Sequence, residues 1–124
     1  MIKIIQELIN GAKSGWYSGK GHKATRRGEY EKALRYYELA LECEEKEGKC
    51  GAGPNPVAIE CISRTHARLG NYKEALLAAE KSKDLYKRLN PNTKIVDDCT
   101  KRVEHFIALL KAGNTDEINK FLTI

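Results

Sequence analysis

Apolar residues recur along this chain every three to four positions, which is the spacing that places side chains on one face of an α-helix. The pattern predicts helices over about 2–12, 30–47, 56–69, 72–89 and 93–112, with a glycine-rich helix over 14–27 and a short one after Asn114. Polar and apolar residues do not alternate over any stretch long enough for a half-buried strand. The sequence therefore predicts an all-α fold of about six or seven helices.

Glycine and asparagine mark the predicted ends of these helices. We expect the first helix to stop near Asn10, and the helix that starts at residue 56 to have Asn55 as its N-cap. Asn71, with Glu74 three residues later, predicts a capping box. Gly113 predicts another helix end. The helices are therefore expected to be joined by short turns, apart from one longer loop over 48–56.

A short motif of glycine, aromatic residue, alanine and leucine occurs twice, with a spacing of 42 residues between the copies. The copies run through Gly28, Tyr30, Ala33 and Leu34 and through Gly70, Tyr72, Ala75 and Leu76. Gly113 follows the second glycine after a further 43 residues. Internal similarity at a period of this length is typical of stacked helical repeats.

These positions resemble the tetratricopeptide repeat, in which a helix pair is joined by a tight turn and small residues lie where the helices cross. The residues that carry the resemblance are Gly21, Ala24, Gly28, Tyr30, Ala33, Tyr37 and Ala40 in the first copy and Gly70, Tyr72, Ala75, Ala79 and Ser82 in the second. The spacing exceeds the roughly 34 residues of the ordinary repeat, so the chain resembles a long-repeat variant.

The resemblance implies antiparallel helix-turn-helix pairs that stack as a short right-handed α-solenoid. It predicts one domain over residues 1–124, with an N-terminal helix over 1–13 and repeat 1 over 14–48. Repeat 2 would cover 55–90, and residues 93–124 would form a partial third repeat and a C-terminal cap.

Composition and charge narrow the class of protein. The chain has 124 residues, of which 41% are hydrophobic and 31% charged, a balance typical of a folded helical domain rather than of a disordered chain. No apolar run is long enough to span a bilayer, and the N-terminal residues lack a signal-peptide cleavage site, so we expect a cytoplasmic protein. The net charge of +5 leaves room for an acidic partner but is modest for a dedicated nucleic-acid binder.

The resemblance also implies a function, which is the binding of a partner segment in a concave groove lined by the first helix of each pair. We therefore predict a non-catalytic interaction or adaptor module that binds a peptide or helix, with acidic segments favoured because the groove is more basic than acidic. The predicted groove residues are His22, Arg26, Glu60, Arg64, Arg68 and Lys111. In the third copy, the family spacing also places Thr100, Val103 and Ile107 beside Lys111.

Two alternative functions remain open at this stage. Lys20, Lys23, Arg26 and Arg27 form a basic run without acidic neighbours, and the preceding aromatic residues at 16 and 17 could stack on bases, which would suit RNA binding. The apolar terminal helices would also suit a homodimer or a larger homo-oligomeric structural protein.

Candidate chemistry is sparse in this sequence. Of the four cysteines, Cys61 and Cys99 have apolar neighbours and are interpreted as core residues, whereas a disulfide between Cys43 and Cys50 is left open. No CxxC pair and no histidine pair at ligand spacing occurs, and no phosphate-binding loop follows a strand. We therefore predict no catalytic residues, no metal site and no cofactor.

Overall fold

The computed structural model describes residues 2–46, 55–89 and 93–123, and within these ranges the chain forms helices and no strand. The helices are α1 Ile2–Arg26, α2 Tyr30–Lys46, α3 Pro56–Arg68, α4 Tyr72–Arg88, α5 Lys94–Ala112 and α6 Thr115–Leu122. The prediction of an all-α fold is confirmed. Consecutive helices pack on each other, and α6 also contacts α3. The stacking of the pairs as a right-handed solenoid stays a prediction.

The first helix differs from its prediction, because α1 continues from Ile2 to Arg26 without a break. The expected stop near Asn10 and the boundary between 1–13 and 14–48 are therefore wrong as helix ends. A glycine inside a helix costs only about 1 kcal/mol relative to alanine, so Gly11, Gly15 and Gly19 weaken α1 without ending it.

The turns after α1 and α3 share one backbone geometry. Gly28 has φ +76° and Gly70 has φ +80°, a left-handed conformation that favours glycine. In the first turn the amide of Glu29 donates to the carbonyl of Ala24 over 2.9 Å, and in the second the amide of Asn71 donates to the carbonyl of His66 over 2.8 Å. Each bond satisfies a carbonyl in the last turn of its helix, so the repeated motif is a repeated turn.

Of the two helix caps predicted above, the one at Asn55 is confirmed, and Asn114 makes a cap of the same kind. The side chain of Asn55 accepts a hydrogen bond from the amide of Val57 over 2.8 Å, and that of Asn114 accepts one from Glu117 over 3.2 Å. The capping box at Asn71 is wrong, because its side chain makes no capping hydrogen bond to α4. Its side-chain nitrogen Nδ2 instead lies 3.5 Å from Nδ1 of His66.

Buried apolar residues form two clusters that share α3. The first joins α1, α2 and α3 through Ala24, Ala33, Tyr37 and Ile62. The second joins α3 to the C-terminal helices, and its members are Ala67, Ala75, Ala79, Tyr86, Val103, Phe106, Ile107, Leu110, Ile118 and Leu122. Because α3 contributes to both clusters, it is the central element of the fold.

The two terminal helices differ in how far their apolar side chains are buried. In α6, Ile118 is fully buried and the ring of Phe121 stacks on Phe106 with centroids 4.8 Å apart. In α1, by contrast, Ile5 and Ile9 are 54% and 43% exposed. The apolar side of α6 therefore packs largely within the chain, and the homodimer through the terminal helices stays a prediction.

Candidate functional site

A cavity of about 480 Å³ lies between α3, α5 and α6. Its lining residues are Val57, Glu60, Cys61, Arg64, Arg102 and Phe121. Two residues of the predicted groove, Glu60 and Arg64, are among them. The helical spacing of 57, 60, 61 and 64 explains why these α3 side chains share one face.

Glu60 is the centre of this site. It is only 5% exposed. Arg102 of α5 donates two hydrogen bonds to its carboxylate, from Nε to Oε2 over 2.8 Å and from Nη2 to Oε1 over 2.6 Å. Arg64 approaches Oε2 to 3.2 Å, and the hydroxyl of Tyr86 donates to Oε1 over 2.8 Å. This network ties α3 to both α4 and α5 through one buried charge.

The network fixes the protonation states of its members. Burial alone would raise the pKa of Glu60, but the hydrogen bonds from Arg102 and Tyr86 outweigh it and hold the pKa below its ordinary value. Burial and the bond to Glu60 raise the pKa of Tyr86, and the bond to Glu60 raises the pKa of Arg102. Near neutral pH, Glu60 is therefore an anion beside two guanidinium cations and a neutral phenol.

The charges of the cavity do not cancel. Glu60 supplies one negative charge, whereas Arg64 and Arg102 supply two positive charges, and their side chains are 22% and 41% exposed. The apolar part of the wall comes from Phe121 and from Val57, which is 50% exposed. The cavity thus combines a net positive charge with accessible apolar surface.

Helix α6 closes one end of the predicted groove. Arg68 donates from Nη2 to the carbonyl of Leu122 over 3.0 Å, and its guanidinium lies 5.8 Å from the ring centre of Tyr30. The guanidinium of Arg64 lies 4.8 Å from the ring centre of Phe121. Arg68 therefore holds the C-terminal end of α6, and the part of the groove available to a ligand is the end near Val57.

The other predicted groove residues lie away from this cavity. Nδ1 of His22 is 2.8 Å from the hydroxyl of Tyr37, within the first helix pair. Arg26 is exposed at the last residue of α1. Lys111 lies 3.6 Å from Glu80 of α4, outside the cavity lining. The structure thus brings together Glu60 and Arg64 but not all six predicted residues.

Sequence reasoning missed Arg102 because it used the wrong register for α5. The family spacing placed Thr100, Val103 and Ile107 on the groove side, but all three are buried, at 9%, 1% and 6% exposure. Their side belongs to the continuous apolar band of α5, which packs in the second cluster. A spacing of 42 from Glu60, rather than the 43 between the glycines, would have selected Arg102.

The remaining candidate chemistry lies in the metal-ligating side chains and the cysteines of the described residues. No group of three or more His, Cys, Asp or Glu side chains in these ranges could hold a metal ion. Burial and the nearby Glu60 carboxylate raise the pKa of the Cys61 thiol, so it stays protonated and is a poor nucleophile. Cys61 and Cys99 are partly buried against the two clusters. The disulfide considered between Cys43 and Cys50 involves a residue outside the described ranges, namely Cys50.

Comparison of the chain with family models, curated proteins and solved structures gives no match. Within the described ranges, no helix combines the length and apolar character needed to cross a membrane. The function therefore has to be argued from the geometry of the chain itself.

Proposed function

We propose that this protein is a non-catalytic, cytoplasmic interaction module of the tetratricopeptide-like kind, and that the cavity between α3, α5 and α6 binds an acidic, amphipathic segment of another protein. The observation that carries the proposal is that two guanidinium groups share one buried carboxylate at an accessible apolar cavity. The repeated glycine turn supports the family part of the proposal, because it joins helix pairs at a spacing of 42 residues.

The chemistry of the cavity favours a carboxylate on the partner. Arg102 uses Nε and one Nη to bind Glu60, so its remaining donors are free to bind a second acceptor. A guanidinium-carboxylate hydrogen bond is charge-assisted and is stronger than a neutral one. A partner carboxylate would also neutralise the excess positive charge of the cavity.

The apolar wall favours a large apolar side chain close to that carboxylate. Val57 and Phe121 both line the cavity and contribute the apolar surface that an aliphatic or aromatic residue would cover. Burying such a side chain contributes about 1.5–3 kcal/mol. We therefore expect the partner segment to carry Asp or Glu within about one helical turn of a large apolar residue.

Selection from a display library of random peptides of about 16 residues tests this proposal. We expect the enriched peptides to combine a carboxylate with a large apolar residue, and to bind less tightly as salt is raised because the contact is partly electrostatic. Amide chemical shifts of the peptide complex should change around Val57, Arg64 and Arg102 and not on the outer side of α4.

A pair of matched variants distinguishes binding at this cavity from nonspecific binding to other exposed surfaces. Val57→Asp places a negative charge on the exposed wall and should weaken peptide binding by at least tenfold, whereas Leu77→Asp, on a residue that is 62% exposed on α4, should leave binding unchanged. Enriched peptides without acidic residues, or equal binding by both variants, would refute the proposed site.

A further inference from the structure

A second surface, formed by α1 and α2 alone, has a different chemistry from the cavity. Trp16, Lys20 and Lys23 follow each other along α1 at spacings of four and three, so they lie on one face of the helix, and Arg27 follows in the turn directly after it. Trp16 is 58% exposed, and Lys23 and Arg27 are exposed as well. We call these four residues, with Tyr17, Lys32 and Tyr36, the basic-aromatic surface.

Aromatic rings connect the two helices across this surface. The rings of Trp16 and Tyr17 meet edge to face with centroids 5.2 Å apart, and those of Tyr17 and Tyr36 stack with centroids 6.5 Å apart and an angle of 29°. The ammonium group of Lys20 lies 5.3 Å from the centre of the Trp16 ring. The indole therefore has a cation and a second ring beside it and is still more than half exposed.

A small cavity of about 120 Å³ lies beside these rings and has a strongly basic lining. The residues around it are Lys20, Lys23, Ala24, Arg27, Glu29, Lys32 and Tyr36. Glu29 is its single acidic residue and lies 3.8 Å from Lys32, so three cations remain without a balancing carboxylate in the lining. A group of anionic oxygens is the ligand that such a cavity fits.

We propose that the basic-aromatic surface binds single-stranded nucleic acid, with successive backbone phosphates at the cations in and around the cavity and a base stacked on Trp16. Proteins that bind single strands combine a positively charged track with aromatic side chains on which bases stack. The surface provides both within one helix pair. A duplex would offer phosphates but no free base face to the indole.

An anionic membrane is the main competing ligand, because Ile5 and Ile9 are also exposed on α1. An interfacial helix has its apolar residues along one face and its basic residues along another. Here the cations line a cavity between two helices and lie beside the aromatic rings, so a nucleic acid, which has alternating phosphates and bases, matches the surface better.

Trp16 is the only tryptophan of the chain, so its fluorescence reports directly on this surface. We expect a single-stranded oligouridine of about 12 nucleotides to quench it, with a slope of log K against log salt of about −2 to −3 for three or four phosphate contacts. A hairpin duplex of the same charge should quench it much less.

Variants of exposed residues, together with the half-buried Lys20, test the two parts of the surface separately. Lys20→Gln/Lys23→Gln should reduce the magnitude of the salt slope by about 1.4, since each contact contributes about 0.7. Trp16→Leu should weaken binding of a labelled oligouridine by about 5- to 150-fold, as expected for the loss of one stacked base. The matched control Lys73→Gln/Lys87→Gln, on two exposed lysines of α4, should bind like the unmodified protein.

Four outcomes would overturn the proposal. They are the absence of quenching at about 50 mM salt, equal weakening by the α4 control, duplex binding as tight as single-strand binding, and binding to phosphatidylserine vesicles without any response to oligouridine. Circular dichroism of each variant shows whether the helix content is unchanged. We expect it to be, because the substituted side chains lie on the surface of α1 or α4.

Discussion

The two helix pairs, α1–α2 and α3–α4, share a frame, by which we mean the same glycine turn between their helices. They differ in the sizes of the residues that pack between those helices. Gly21 packs against Tyr37 in the first pair, and the residues 42 positions later are Ser63 and Ala79. The first pair thus places a glycine against a large ring, where the second pair has two small side chains. All four residues are buried, so each pair reaches close packing with its own distribution of volume.

The polar groups of the two pairs also differ. Within the first pair, Glu44 accepts a hydrogen bond from the hydroxyl of Ser14 over 2.8 Å in a half-buried position. The second pair instead contains the buried carboxylate of Glu60, which needs Tyr86 and two arginines. The comparison teaches that the turn sets the frame of a pair, whereas the residues that fill it decide which pair carries a charged site.

The largest expected effect is on the second pair and comes from Glu60→Gln. This substitution removes the carboxylate and leaves Arg64 and Arg102 side by side without a counterion. We expect a loss of about 2–4 kcal/mol in the free energy of unfolding, below the upper end for a buried pair because Arg102 is 41% exposed. Urea denaturation followed by circular dichroism measures it.

Two controls show whether this loss belongs to the buried charge. Glu80→Gln breaks an exposed contact to Lys111 between α4 and α5 and should cost no more than about 0.5 kcal/mol. Because the pKa of Glu60 is lowered on folding, its contribution is present above the ordinary value of 4.5 and is lost as the pH falls through the native pKa. The unmodified protein should lose stability in that acid range more steeply than Glu60→Gln, and equal acid slopes would contradict the assignment.

The second effect is on the first pair and comes from Gly21→Ala. A Cβ atom at this position would lie 2.6 Å from Cε1 of Tyr37, a distance that forces the ring or α1 to move. Overpacking costs about 1–3 kcal/mol, and the better helix propensity of alanine returns about 1 kcal/mol, so we expect a net loss of about 0–2 kcal/mol. Thermal and urea unfolding measure the change.

Gly19→Ala is the matched control, because a Cβ atom there meets no neighbouring atom within 4 Å. It should stabilise the same helix by about 0.5–1 kcal/mol through propensity alone. In a Tyr37→Ala background, the penalty of Gly21→Ala should disappear, since the ring that causes it is absent. If Gly21→Ala were as favourable as Gly19→Ala, the close approach of α1 to Tyr37 would be wrong.

The helix content and the turns could be predicted from the sequence because they depend on local chemistry. The 3.6-residue period of the apolar residues and the left-handed preference of Gly28, Gly70 and Gly113 are properties of short segments. The continuity of α1 could not be predicted in the same way. From Ser14 onward, the cost of its glycines is offset by packing on α2, which is a tertiary effect that local propensity does not contain.

The candidate site could be predicted only in part, for a related reason. Glu60 and Arg64 were found because they share a face of α3, which is again a local property. Arg102 and Phe121 join them only because α5 and α6 fold back onto α3. Their positions depend on the register of α5 and on the direction of α6, and neither is encoded in the spacing of the glycines.

The smallest effect tests the shared frame itself, through Gly28→Ala and Gly70→Ala. A Cβ atom at either position meets nothing within 4 Å, so the cost arises from the left-handed backbone alone and should be about 1 kcal/mol in each case. Urea denaturation should give losses that agree within about 0.5 kcal/mol, because both glycines have the same left-handed backbone conformation. Gly28→Asn and Gly70→Asn should each cost less than alanine, since asparagine tolerates the left-handed region better. Clearly unequal losses would mean that the two turns are not equivalent, and the common frame of the two pairs would then have to be abandoned.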